Sequence, residues 1–126
     1  MSDKNPWEHL AGEGYRLTNL GRPAVFFIPT AKLEIAIDGK TIREHLDTFL
    51  IMHFRAFTRA ATPSVGLWVN GQSTVVTDMN TLYEVSFLGR EHIAPLIAEL
   101  ARLCRLMDED CLYFKAGEDA CLIAPT

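Results

Sequence analysis

The sequence predicts an α+β fold: an antiparallel sheet with two helices packed on one face and a hairpin at the C-terminus. Three observations predict it. Val65 to Phe87 reads as two strands joined by a turn, two segments of helical apolar spacing flank that pair, and further strand-like runs lie at either end. The bulk numbers fit one globular domain. A chain of 126 residues, 48% hydrophobic and 22% charged, is long enough to bury a core without a metal or disulfide.

Residues 1–31 are expected to form an N-terminal arm. Pro6, Gly12, Gly14, Gly21 and Pro23 break up regular structure there, and Trp7 and Tyr15 stand as isolated aromatics. Within the arm, Ala24 to Ile28 reads as a short edge strand, because Pro29 follows and proline is confined to strand edges and ends. The domain proper, 32–126, then opens with Lys32 to Ile37 as the first core strand, closed by the Asp38-Gly39 turn.

From Thr41 the period changes. Ile42, Leu46, Phe49, Leu50, His53 and Phe57 recur at helical spacing and predict an amphipathic helix of about 18 residues. Thr41 as N-cap and Glu44 three residues later make a capping box. Asn70-Gly71 marks the turn between the central strands, and Ser73, Thr74, Thr77, Asp78 and Asn80 are read as its polar connection. Leu82 to Phe87 alternates Tyr83, Val85 and Phe87 with Leu82, Glu84 and Ser86, one apolar face and one mixed.

A second helix follows Gly89. Ile93, Leu96, Ile97, Leu100, Leu103, Cys104 and Met107 form its stripe, with Pro95 early, where a missing amide costs little. Asp108-Glu109-Asp110 ends it, and Cys111–Lys115 pairs with Ala120–Ala124 as a hairpin. The order strand, helix, strand, strand, helix, strand is that of the ferredoxin-like split βαβ sandwich.

The net charge of −4 argues against a nucleic-acid binder that works by phosphate neutralisation. No apolar run reaches the ~20 residues of a membrane span and the N-terminus lacks a leader pattern, so a cytoplasmic chain without membrane contact is expected. Cys104, Cys111 and Cys121 form no CxxC pair. They read as reduced, buried thiols, with one Cys111–Cys121 bridge across the hairpin as the alternative.

The four histidines lack metal-site spacing, and neither a GxSxG elbow nor a phosphate loop is present. Asp78 and Glu84 remain as the candidate functional carboxylates. Either is a fit partner for a cationic ligand group, with Trp68 and Tyr83 as aromatic faces and Ser86 beside Glu84. The competing reading makes Glu84 a solvent-facing strand residue and Asp78 a turn former.

Gly66-Leu67-Trp68, then Ala101-Arg102-Leu103-Cys104, Asp108-Glu109-Asp110-Cys111-Leu112 and the closing hairpin together resemble the bacteriophage S-adenosylmethionine lyases, over about Lys32 to Ala124. The resemblance implies cleavage of S-adenosylmethionine to 5′-methylthioadenosine and homoserine lactone, without metal or cofactor, in a ferredoxin-like trimer with active sites at subunit interfaces. It implies a catalytic glutamate. Aligning on the second helix puts that role on Glu84, the preferred residue, whereas counting from Trp68 puts it on Asp78. The family's catalytic tyrosine has no clean counterpart; Trp68 and Tyr83 are the residues nearest its place. The other expectation is a non-catalytic oligomeric binding module for a small ligand or a host protein.

Overall fold

The computed structural model describes residues 5–126; the first four residues of the expected arm lie outside them. The described residues form an α+β fold, with one six-stranded antiparallel sheet and two α-helices. In chain order the sheet strands are β1 (Arg22–Pro29), β4 (Thr58–Arg59), β5 (Ser64–Val69), β6 (Val75–Phe87), β7 (Leu112–Ala116) and β8 (Asp119–Ile123). A small hairpin, β2 (Ala36–Ile37) with β3 (Lys40–Thr41), stands apart from the sheet. The helices are α1 (Ile42–Phe54) and α2 (Ile93–Leu106).

β6 is the longest strand, paired to β1 on one side and to β5 and then β4 on the other. β1 also pairs with β7, and β7 with β8, so the sheet runs β4-β6-β1-β7-β8 with β5 beside β4 along β6.

The expected edge strand at 24–28 is therefore a central strand, and the expected core strand 32–37 is a short helical turn leading into the small hairpin. The prolines explain how β1 can be central. Gly117 donates its amide to the Pro23 carbonyl at 2.8 Å, so the backbone groups of odd-numbered β1 residues face β7. The β7 ladder covers only Ala24 to Phe26. Pro23 and Pro29 lie just outside those three paired residues, Pro23 using only its carbonyl toward β7, so neither missing N–H falls within the ladder.

The core lies on one face of the sheet. Ala24, Phe26 and Ile28 of β1, Tyr83 and Val85 of β6, and Leu112 and Phe114 of β7 form a single cluster with Leu46 and Leu50 of α1 and Leu96, Leu100 and Leu103 of α2. The Phe26 and Tyr83 rings stack at 5.3 Å, nearly parallel. Thr41 caps α1 as expected: its hydroxyl accepts from the Glu44 amide and the Glu44 carboxylate accepts from the Thr41 amide. These bonds hold the Glu44 carboxyl below its ordinary range, the backbone amide contributing most.

α1 is shorter than its apolar spacing suggested. Arg55 adopts a left-handed conformation (φ 69°) and ends the helix, so Phe57 packs from the following loop, its ring 6.1 Å from Tyr83. The three cysteines are free; Cys104 is buried as expected, whereas Cys111 and Cys121 are exposed. Cys121 stands opposite Phe114 rather than Cys111, so the hairpin register does not favour the alternative bridge.

Candidate functional site

Alternation along β6 sorts the candidate residues by face. Tyr83, Val85 and Phe87 point to the helices and are buried, whereas Asp78, Asn80, Leu82, Glu84 and Ser86 point to the opposite, uncovered face. Tyr83 is wholly buried and does not share the face of the two carboxylates. Its hydroxyl has no hydrogen-bond partner among the described residues. Burial raises its pKa, partly offset by Arg59, whose guanidinium lies 5.9 Å from the ring centre. Arg59 is itself held by Asp47 through two bonds of 2.6 and 2.9 Å.

Asp78 belongs to β6 rather than to the turn, and Trp68 to β5. The turn is Asn70 to Thr74: the Asn70 side chain accepts from the Gln72 and Thr74 amides, and Ser73, not Gly71, carries the positive φ. Gly66 stands directly opposite Asp78 and Trp68 opposite Val76. Trp68 reaches diagonally past Gly66, which has no side chain to intervene, and donates its indole N–H to Asp78 Oδ2 at 2.5 Å.

This pair lines a cavity of about 460 Å³ on the uncovered face. Phe27 of β1 and Tyr113 of β7 contribute aromatic walls, their ring centres 5.7 Å apart. Ser64, Asn80, Glu109, Asp110 and Cys111 supply its other polar groups, and among the described residues no lysine, arginine or histidine lines it. The arrangement suits an organic cation with an extended apolar portion: aromatic faces attract positive charge and carboxylates hold it by charge-assisted hydrogen bonds.

Glu84 and Ser86 are elsewhere. Glu84 is six residues from Asp78 on one strand, about 20 Å at ~3.3 Å per residue. It lines a second cavity of about 400 Å³ with His53, Phe57, Ser86 and His92. The structure therefore brings Trp68 and Asp78 together and separates them from Glu84 and Ser86. The residues that sequence reasoning missed are Phe27, Tyr113, Glu109 and Asp110. Phe27 lay in a run read as edge strand, and Tyr113 in a hairpin whose outward face nothing local distinguishes. Among the described residues no group of histidine, cysteine and acidic side chains could hold a metal ion, and no helix is long and apolar enough to cross a membrane.

No protein-family model and no curated protein matches the sequence. Two solved structures do resemble the fold. One is a phage SAM lyase in complex with S-methyl-5′-thioadenosine, with a TM-score of 0.54 at 14% identity, over 90% of this chain and 96% of that one. The other is a phage SAM lyase in the apo state, with a TM-score of 0.56 at 13% identity, over 87% of this chain and 94% of that one.

Proposed function

We propose that the chain is an S-adenosylmethionine lyase, built on a ferredoxin-like sandwich, that releases 5′-methylthioadenosine and homoserine lactone. The observation that carries this reading is the Trp68–Asp78 pair within an aromatic, acid-lined cavity, in a chain that resembles phage SAM lyases along nearly its whole length. The strand order β7-β1-β6-β5, with a helix in each of the two crossovers, supports the ferredoxin-like description.

In this reaction the substrate's own carboxylate attacks its γ-carbon. The carbon–sulfur bond breaks, and its electron pair goes to sulfur, which leaves as a neutral thioether. No proton is transferred in that step. Positioning is the main requirement, and proximity in an intramolecular displacement is worth about 7–11 kcal/mol.

The charge balance assigns a role to Asp78. Positive charge on sulfur disappears in the transition state, so a carboxylate held against sulfur would stabilise the ground state more and slow the reaction. The substrate ammonium keeps its charge throughout, and Asp78 serves best by holding that group. Trp68 orients Asp78, and the Phe27, Tyr113 and Trp68 rings wall the apolar part of the substrate and exclude water from the displacement. Glu84 and Ser86, about 20 Å or more along the strand, are assigned to the same centre only if a neighbouring subunit brings them to it, as in an interface site of a trimer.

The test is incubation of the purified protein with S-adenosylmethionine and chromatographic separation of the nucleosides. Methylthioadenosine forming with an equimolar amount of homoserine lactone, and forming more slowly with Asp78→Asn, supports the lyase. Turnover no faster than spontaneous decay rejects it.

A non-catalytic oligomeric binding module is the second reading. Val65, Leu67, Val69, Val75 and Met79 of the β5–β6 hairpin are each more than half exposed, an uncovered apolar flank suited to subunit contact. That reading expects a stable oligomer with no turnover.

A further inference from the structure

The second cavity lies where the β4 ladder ends. Ala60 donates its amide to the Leu82 carbonyl at 2.9 Å, and Thr58 stands opposite Glu84. Alternate residues of a strand present their N–H and C=O groups to the same edge. The amide and carbonyl of Ser86 therefore face the β4 side, like those of Leu82 and Glu84. The residue next in line there, Ala56, makes no backbone hydrogen bond to Ser86, and Pro23 occupies the other side. Ser86 thus presents an adjacent donor and acceptor, without a ladder partner on that side among the described residues, to a cavity of about 400 Å³.

The walls fit that edge. Phe57 supplies an aromatic side and Leu20 an aliphatic one, with His53, His92 and Glu84 as polar lining. Leu20 is fixed there by its neighbour. Gly21, at φ +86°, passes so close to the Phe87 carbonyl that a Cβ would lie 1.9 Å from it, and only glycine fits. The volume falls within the ~300–1,000 Å³ of small-molecule sites.

We infer that this cavity binds a small planar ligand with a hydrogen-bond donor beside an acceptor, as on the edge of adenine or of a carboxamide, read by the Ser86 backbone. Such an edge closes a cyclic pair of hydrogen bonds with the N–H and C=O of one extended residue, while the ring lies against Phe57. The cavity is separate from Trp68 and Asp78, and because adenine is also the nucleobase of the proposed substrate, the Ser86 amide and the Trp68 indole N–H are read as separate signals.

The test uses the full ¹⁵N-labelled chain titrated with adenine, with nicotinamide, and with purine, which lacks the exocyclic donor. The expected result is a downfield shift of the Ser86 amide with adenine, and purine binding about 3–10-fold weaker for the lost hydrogen bond. A Ser86 shift with nicotinamide identifies the carboxamide as a ligand source; its absence, with adenine active, identifies the base. Ser86→Ala keeps binding, since the backbone is the reader, whereas Ser86→Pro, which deletes the amide donor, abolishes it. Leu20→Ala removes an exposed wall without touching the core and also weakens binding. Equal affinity for adenine and purine, or perturbation of the Trp68 indole N–H with none at Ser86, overturns the inference.

Discussion

Trp68 and Asp78 meet diagonally across β5 and β6, the indole N–H bonded to Asp78 Oδ2 over the bare backbone of Gly66. The bond fixes two things together: the plane of a cavity wall and the orientation of the carboxylate beside it. Four predictions test this arrangement and the fold that supports it.

The two carboxylates should separate in activity. Asp78→Asn removes the charge that holds the substrate ammonium and should lower kcat/KM for S-adenosylmethionine about 10–100-fold, the scale for loss of one hydrogen bond to a charged group. Glu84→Gln in the second cavity should keep kcat/KM within about threefold. Loss of activity in Glu84→Gln alone would return the chemistry to Glu84.

Trp68→Phe keeps an aromatic wall and deletes only the donor. We expect kcat to fall about tenfold through loss of roughly 1.4 kcal/mol of orientation, with KM changing little. Thermal stability should stay within about 1 kcal/mol, because the pair is exposed. A rise in KM at constant kcat would instead make Trp68 a simple binding surface.

Tyr83→Phe should stabilise the protein. The hydroxyl is buried without a hydrogen bond, so its removal relieves about 1 kcal/mol of desolvation. A melting-temperature rise of roughly 3–5 °C is expected for a chain of this size. A fall in melting temperature would mean that Arg59 serves the hydroxyl as well as the ring.

Alkaline stability should decline early. Burial pushes the Cys104 thiol up to about 11, reinforced by the acidic charges of Cys111, Glu109 and Asp110. Its Sγ also donates to the Glu109 carbonyl at 3.3 Å. Above the unfolded thiol pKa the unfolded chain binds fewer protons than the folded one, so stability falls as pH rises. The contribution is complete below about pH 8.5 and is lost as pH approaches the folded value. Cys104→Ala should flatten the decline between about pH 8.5 and 10; the raised Tyr83 pKa adds a further loss above about pH 10. Denaturant midpoints across that range decide it, and an unchanged slope in Cys104→Ala rules the thiol out.

Local rules made much of the fold legible. The Thr41–Glu44 capping box, the early Pro95 of α2 and the period-two faces of β6 each follow from contacts within a few residues, and each is present. The errors share one cause. Pro29 suggested an edge strand because proline lacks a donor, but whether that donor is needed depends on how far β7 extends along β1. Phe57 kept the helical period while the chain had already turned at Arg55, because its partner Tyr83 comes from another strand.

The candidate site divides in the same way. Spacing alone determined that Glu84 lies in an extended run and that Tyr83 faces the opposite side from it, but it left Asp78 in the turn, because the polar residues 77–80 carry no apolar alternation. Only tertiary pairing decided that Trp68 reaches Asp78, that Phe27 and Tyr113 close the wall around them, and that Glu84 opens into a different cavity. Side-chain direction along a strand is set by the backbone's own geometry, whereas the register between strands is set by which distant faces bury together.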